Sequence, residues 1–109
     1  MTDVYRELGE YIAAALGDAV LRTDVALGEL MVYVPAARIE RVLGFLRDDA
    51  NCQFKMLIDI CGVDYPERAD RFDVVYNLLS VSLNRRCRIK VAVGEDDAVP
   101  SVVGVYRSE

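Results

Sequence analysis

The segment from Asp59 to Asp64 contains the residue types that could do chemistry most directly. It reads Asp-Ile-Cys-Gly-Val-Asp, so a thiol at Cys61 lies between two carboxylates. On a strand, Asp59 and Cys61 would share one face, because side chains alternate between the two faces. A thiolate beside a carboxylate is disfavoured by like-charge repulsion, which makes the thiol a poorer nucleophile. We therefore expect Cys61 to be a small core residue and Asp59 to be hydrogen-bonded near a strand end.

The composition also lacks the usual helpers of such chemistry. The chain has no histidine, the commonest general base and metal ligand. Its three cysteines, Cys52, Cys61 and Cys87, form no C-x-x-C pair. An odd number of cysteines without a visible export signal favours reduced thiols in a cytosolic-type compartment. Glycine-rich phosphate-binding motifs and a nucleophile elbow are also missing. We expect no catalytic residue, metal or cofactor here; a small enzyme using Cys61 with Asp59 or Asp64 is the alternative.

A second candidate site combines basic and aliphatic residues near the end of the chain. Arg86, Arg88 and Lys90 alternate, so a strand would align three cations on one face. Interfaces combine arginine with apolar side chains, whereas a lone charge row often protects a sheet edge from aggregation. The charge row alone favours a solvated, edge-protecting row, and an acidic partner surface is the alternative that the neighbouring aliphatic residues support. The candidate interface residues are Arg86, Arg88, Lys90, Leu79, Val81 and Leu83.

The helices that must position these residues follow from the apolar periodicity. Apolar residues recur at helical spacing from Val4 to Leu16 and predict a helix over residues 4–16. Gly17 can end that helix in the left-handed conformation. A second helical pattern covers residues 36–48 and follows Pro35, which suits a helix entry. Ser101 could cap a further short helix.

The strands are predicted as two hairpins and one additional strand. A type II′ turn at Gly28–Glu29 would pair Leu27 with Leu30 and Val25 with Val32. The second hairpin, with a two-residue turn at Asn84–Arg85, would pair Ser82 with Cys87. The three later strands are predicted over Lys55–Asp64, Phe72–Leu83 and Arg86–Val93.

This order of elements, α-β-β-α-β-β-β, predicts an α+β fold, a two-layer sandwich in which two helices pack on a mixed sheet. The second hairpin would carry aliphatic side chains on both faces, among them Val75 and Leu79. Leaving such side chains in water forgoes roughly 1.5–3 kcal/mol for each one that could be buried. We expect cover by a helix of the same domain, or alternatively by a partner chain or by residues outside this sequence.

Size and charge limit the class of protein. A chain of 109 residues is typical of a single domain, here residues 1–109. The net charge of −5 argues against a nucleic-acid binder. The longest apolar run, residues 12–16, is far shorter than the roughly 20 residues that span a bilayer. No secretory signal is visible at the N-terminus, so we expect a soluble intracellular domain.

Five motifs in order then point to a known family. They are V-D-Y-P at 63–66, R-F-x-V-V-Y-x-L-L-S at 71–80, N-x-R-x-R-x-K-V at 84–91, an acidic loop at 95–97 and P-S-V at 100–102. The stretch from Leu57 to Tyr106 thereby closely resembles the thirty-kilodalton subunit (the C subunit) of the proton-pumping NADH–quinone oxidoreductase, respiratory complex I. The preceding helix, hairpin and second helix are also similar to that family, so the resemblance covers essentially the whole chain.

The resemblance implies a role without catalysis in this chain. Family members bind no flavin or iron–sulfur cluster, and sit in the peripheral arm against the forty-nine-kilodalton subunit (the D subunit), which forms the quinone cavity with its neighbours. The implied function is structural support for electron transfer from NADH to quinone in a proton-translocating enzyme. The implied location is the cytoplasmic side of the bacterial inner membrane, with membrane contact only through the complex and its other peripheral-arm subunits.

Two further expectations depend on this resemblance. The family signature E-R-E-x-x-D-x-[FY]-G follows the P-S-V segment and is absent here, as is the C-terminal tail, so we expect a truncated form of the subunit's α/β domain. The alternative assignments are a homologous subunit of a membrane-bound hydrogenase or another NAD(P)H–quinone oxidoreductase, and an adaptor domain unrelated to respiration.

Overall fold

The computed structural model describes residues 2–94, and its helices and strands follow one another in the predicted order. The elements are α1 (Thr2–Leu16), β1 (Arg22–Ala26), β2 (Glu29–Tyr33), α2 (Ile39–Asp48), β3 (Met56–Asp64), β4 (Phe72–Ser80) and β5 (Arg85–Val93). Short 3₁₀ turns at Gly17–Ala19 and Ala36–Arg38 follow α1 and precede α2. Gly17 has a φ of 58°, the predicted left-handed conformation. The short helix predicted after Ser101 lies outside the described residues.

The five strands form one mixed sheet in the order β1-β2-β5-β4-β3. Strands β2 and β5 run parallel, and the other neighbouring pairs run antiparallel. This confirms the predicted α+β fold with a mixed sheet and two helices. Among residues 2–94, strands β1 and β3 are therefore the two edges of the sheet.

Both helices pack on the same face of the sheet, which we call the helix face. The core joins Leu8, Ile12, Leu16, Ile39, Val42, Leu43 and Leu46 of the helices to Leu30, Val32, Leu78, Cys87, Ile89 and Val91 of the strands. The spacing of the helix residues is the predicted apolar stripe. The opposite face, which we call the outer face, is not covered by a helix within residues 2–94. The prediction that a helix of this domain covers that face is therefore wrong for residues 2–94.

Helix α1 lies very close to the β1 end of the sheet. A Cβ atom added at Gly9 would come within 3.1 Å of both Leu30 Cδ1 and Thr23 Oγ1, so a residue without a side chain permits this approach. The Tyr5 hydroxyl also accepts the backbone N–H of Arg86 at 3.2 Å. Arg86 lies just before the part of β5 that pairs with β2, so α1 supplies the missing acceptor there.

The first hairpin has a different register from the predicted one. Its two turn residues are Leu27 and Gly28, with φ of 54° and 75°, which is the pattern of a type I′ turn. Val25 therefore pairs with Leu30 instead of Val32, and Leu27 is fully exposed instead of lying on the core face. The pairing is shifted by two residues, an even number, so the predicted core face of the hairpin is unchanged.

The second hairpin also differs in its turn. Strand β4 ends at Ser80, which pairs with Arg85, so the turn has four residues instead of two. The Ser80 hydroxyl accepts the N–H of Leu83 at 3.2 Å, and the N–H of Asn84 donates to the Val81 carbonyl at 3.3 Å. These two N–H groups therefore have their hydrogen-bond partners within the turn and at its start. The shift is again even, so both predicted faces of β4 and β5 are retained.

Candidate partner interface

The outer face carries most of the predicted interface residues. Arg86 lies opposite Leu79, Arg88 opposite Asn77 and Lys90 opposite Val75. The three cations therefore alternate along one face as predicted, and half-buried Leu79 lies beside them. Val75 is buried on this face even though no helix of residues 2–94 covers it.

Val81 and Leu83 are not part of this strand face. Both lie in the turn between β4 and β5, because β4 ends at Ser80. Val81 is 68% exposed and Leu83 is half-buried. The predicted strand positions of these two residues are wrong, since they assumed a shorter turn. They form an apolar tip at one end of the outer face.

The outer face is less basic than the sequence alone indicates. Arg88 binds Glu29 of β2 through two contacts, Nε to Oε2 at 3.1 Å and Nη2 to Oε1 at 3.3 Å. Lys90 Nζ lies 5.8 Å from the ring centre of Tyr33, and the Arg22 guanidinium lies 3.9 Å from the same ring. Such exposed pairs contribute about 0–1 kcal/mol each, so they set the charge pattern more than the stability.

A shallow cavity of about 210 Å³ lies in the middle of this face. Its lining includes Glu29, Ile58, Asp59, Asn77, Arg86 and Arg88. Two carboxylates and two guanidinium groups thus face one small space, and Arg86 has no ion-pair partner within residues 2–94. The cavity suits a polar or charged side chain of a partner protein better than an apolar ligand.

The Asp59–Cys61 pair lies on the same face but not as predicted. Cys61 is exposed, so its prediction as a core residue is wrong. The reason is that β3 is an edge strand whose outer face is uncovered in this part of the chain. Asp59 does accept the expected hydrogen bond, from Asn77 Nδ2 at 2.5 Å, but it lies inside β3 instead of near a strand end.

The other two cysteines are buried. Burial, with a smaller contribution from Asp49, raises the pKa of the Cys52 thiol to about 12. Burial also raises the pKa of the Cys87 thiol, which lies under the helices. Thiols with such pKa values are almost wholly protonated at neutral pH and react slowly. Cys61 is therefore the accessible thiol among the three.

The loop from Tyr65 to Arg71 is more ordered than its charged sequence indicates. Arg71 Nε contacts Asp64 Oδ1 at 2.7 Å, and Arg68 Nη2 contacts Asp73 Oδ1 at 2.6 Å. The Arg68 guanidinium also lies 4.2 Å from the ring centre of Tyr65. The hydrogen bond from Arg71 holds the pKa of Asp64 below its usual value. These pairs fix the end of β3 to the start of β4, a feature that the sequence analysis missed.

Two kinds of feature are absent from the described part of the chain. No group of three or more cysteine, aspartate or glutamate side chains is placed to hold a metal ion there. No helix there is long and apolar enough to cross a membrane.

The family is decided by comparison with known sequences. The sequence pattern of the family described as "Respiratory-chain NADH dehydrogenase, 30 Kd subunit" matches residues 32–109. The chain belongs to this family. The matched residues include strands β3, β4 and β5 and both sides of the second hairpin.

Individual relatives in the family extend the match to the whole chain. The C subunit of NADH-quinone oxidoreductase from Paramagnetospirillum magneticum is 56% identical over 109 residues, which cover 99% of this chain and 55% of the relative. The same subunit of Parvibaculum lavamentivorans is 54% identical over 108 residues, 99% of this chain and 54% of the relative. The chain therefore spans about half the length of the curated relatives it matches.

A solved structure resembles the fold. One chain of the membrane-bound sulfane sulfur reductase, described as an archaeal respiratory membrane complex, aligns with a TM-score of 0.75 and 24% identity. The alignment covers 93% of this chain and 58% of that one. At this identity the likeness supports the fold alone.

Proposed function

We propose that this chain is the α/β domain of a non-catalytic structural subunit in the peripheral arm of a respiratory NADH–quinone oxidoreductase, complex I. The observation that carries the proposal is the 56% identity over 109 residues to the C subunit of an NADH-quinone oxidoreductase. The domain supports electron transfer from NADH to quinone, in a proton-translocating enzyme, by holding other subunits in position. The reacting groups belong to those other subunits.

The proposed partner is the forty-nine-kilodalton D subunit, next to other peripheral-arm subunits. The outer face is the proposed docking surface, since it combines Arg86, Arg88 and Lys90 with the apolar side chain of Leu79. Interface cores are enriched in arginine and apolar side chains in this way. Arg86 is the cation best placed to meet an acidic partner group, because Arg88 already binds Glu29. The complex provides the attachment to the cytoplasmic side of the bacterial inner membrane.

The alternative of a related respiratory complex is less well supported. The identity is 56% to an NADH-quinone oxidoreductase subunit. It is 24% to the aligned chain of the sulfane sulfur reductase complex. Sequence similarity therefore favours NADH–quinone oxidoreductase, and the shared fold does not separate the two.

The test is a binding measurement between the full-length subunit and the D subunit. We expect the wild-type pair to co-purify, and Arg86→Glu to weaken binding by about tenfold or more, as for charge reversal at a complementary surface. Arg88→Glu has a smaller effect, because Glu29 already compensates the charge of Arg88. Arg41→Glu is the matched control, since Arg41 is an exposed residue of α2 with the same charge change.

Two results would count against parts of this proposal. Failure of the wild-type subunit to bind the D subunit would contradict the docking partner. Equal binding by Arg86→Glu, Arg88→Glu and Arg41→Glu would exclude the basic strand as the interface while leaving the family assignment intact.

A further inference from the structure

Within residues 2–94, strand β3 is an edge protected only by a bulge and two aspartates. It has nine residues, Met56–Asp64, and pairs only with β4 among the strands of residues 2–94. Eight of the nine are exposed, and Leu57 is partly exposed. Edge strands of natural proteins usually carry lysine, proline or a covering element that blocks further pairing. The sequence from 56 to 64 contains no lysine, arginine or proline.

The backbone of β3 presents a defined set of groups at this edge. The Tyr65 N–H donates to the Arg71 carbonyl at 2.6 Å, so the backbone of residue 65 faces β4. Backbone groups alternate between the two sides of a strand, and the register from Asp59 to Asp64 is regular. Ile60, Gly62 and Asp64 therefore point their N–H and C=O groups away from the sheet, as a template for another strand.

Apolar side chains lie on both faces next to this template. Ile60 pairs with Tyr76 and so lies on the helix face, yet it is 50% exposed. Met56 and Val63 lie on the outer face and are also exposed, and Ile58 joins them at a bulge between Leu57 and Asp59. An added strand would gain apolar contacts above and below the sheet. A mostly apolar, extended segment fits this edge best.

The charges along β3 indicate what else that segment carries. Asp59 and Asp64 are the charged residues between positions 56 and 64. Asp64 already binds Arg71, whereas Asp59 contacts the uncharged amide of Asn77. Opposite charges on neighbouring strands stabilise pairing, so a lysine or arginine opposite Asp59 is favoured. A second copy of β3 brings no cation and places further carboxylates at the pairing site.

We propose that the outward edge of β3, residues Met56–Asp64, accepts an added β-strand from the D subunit. The strand is a mostly apolar segment with a lysine or arginine opposite Asp59. Main-chain hydrogen bonds to Ile60, Gly62 and Asp64 provide affinity, and the side chains on both faces provide selectivity. This inference rests on the proposed function, because that function supplies the partner.

Amide hydrogen exchange on the full-length subunit, alone and bound to the D subunit, tests the inference directly. In the isolated subunit, the amides of Cys61 and Val63 exchange slowly because they bond to β4, and those of Ile60, Gly62 and Asp64 exchange fast. In the complex we expect these three outward amides to slow by about a hundredfold or more, as for amides that enter a stable ladder.

A pair of substitutions at Gly62 provides the matched test of binding. A Cβ atom at Gly62 meets no atom within 4 Å, so Gly62→Ala adds a side chain without a clash. Gly62→Pro also removes the outward N–H and leaves the hydrogen bonds to β4, a position where edge strands tolerate proline. We expect Gly62→Pro to weaken binding by about tenfold, the loss of roughly one hydrogen bond, and Gly62→Ala to bind as wild type.

The outcomes separate this inference from the proposed function. Binding of the wild-type subunit with no slowing at Ile60, Gly62 and Asp64 would overturn the strand addition alone. No binding of wild type would overturn the proposed docking and the strand addition together. Slowing that rises with the concentration of the isolated subunit would assign the edge to a second copy. If the amides of Cys61 and Val63 exchange fast in Gly62→Pro, this variant has lost the pairing of β3 with β4. The wild-type exchange data then decide whether a strand is added.

Discussion

Strands β1 and β3 form the two edges of the sheet that residues 2–94 build, and their surroundings differ. Strand β1 has five residues with charged Arg22 and Asp24 on its outer face, and α1 packs closely against it at Gly9. Strand β3 has nine residues, no cation, and exposed apolar side chains on both faces. The lengths and charges differ in the sequence itself, and the difference in cover arises from the position of α1.

The helices cover one end of the sheet more than the other. The contacts of α1 with the sheet are mostly with β1 and β2, and the turn before α2 contacts β5. Cover is therefore concentrated at that end of the sheet. Strands β4 and β3 extend beyond it, which leaves Phe72 and Val74 only partly buried. The helices therefore cover the β1 end of the sheet more completely than the β3 end.

Thiol reactivity should show the largest difference between strand β3 and the buried core. We expect Cys61 in β3 to react with a soluble thiol reagent in the native state. Cys52 and Cys87 require an opening of the fold, which slows their reaction by about a thousandfold or more. Denaturant should make all three react alike. The measurement is the number and rate of thiols labelled, with Cys61→Ser as the control that removes the fast phase.

A different result would change the comparison of the edges. If Cys61 labels as slowly as Cys87 in the isolated chain, then β3 is covered in solution. Such cover would mean that β3 is not an open edge in the isolated domain.

This contrast also shows what the sequence could and could not predict. The faces of the strands were predicted because side-chain alternation depends only on whether a position is odd or even. The registers were wrong because turn lengths depend on local choices, such as the positive φ of Leu27 and of Asn84. Both errors were even shifts, so the core residues were still assigned to the correct face.

The error at Cys61 has a different origin. Burial of a strand residue depends on which strands become its neighbours, and the order β1-β2-β5-β4-β3 involves contacts between distant parts of the chain. Local patterns carry no such information. The pairs Arg88–Glu29 and Arg68–Asp73 were missed for the same reason, because they depend on register and loop conformation.

Truncation of matched isoleucines compares packing at the two ends of the sheet. Ile12 of α1 is fully buried in the core, whereas Ile60 of β3 is half-exposed. We expect Ile12→Ala to lower the free energy of unfolding by about 2–5 kcal/mol, as for truncations in a packed core. Ile60→Ala should cost less than about 1 kcal/mol, because little buried area is lost. Urea unfolding measures both.

Equal destabilisation by Ile12→Ala and Ile60→Ala would contradict the comparison. It would show that Ile60 is packed as tightly as the core, and therefore that the β3 edge is covered in the isolated chain.

The smallest expected effect concerns the ion pair at the end of β3. The hydrogen bond from Arg71 lowers the pKa of Asp64 in the folded state. A lowered folded pKa contributes stability that is present above the unfolded pKa of about 3.9 and is lost as the pH falls through the folded pKa. NMR titration should give Asp64 a midpoint below about 3.9, and Arg71→Gln should raise it towards that value.

The difference in stability between wild type and Arg71→Gln should follow the titration of Asp64. The difference in unfolding free energy between wild type and Arg71→Gln should be constant near neutral pH and shrink below about pH 4, where Asp64 becomes protonated. Arg41→Gln, which removes an exposed cation from α2, serves as the control for general charge effects. An unchanged Asp64 midpoint in Arg71→Gln would mean that the pair does not hold the loop. The end of β3 would then not be held in place in the isolated domain, and only binding of the partner strand could fix its conformation.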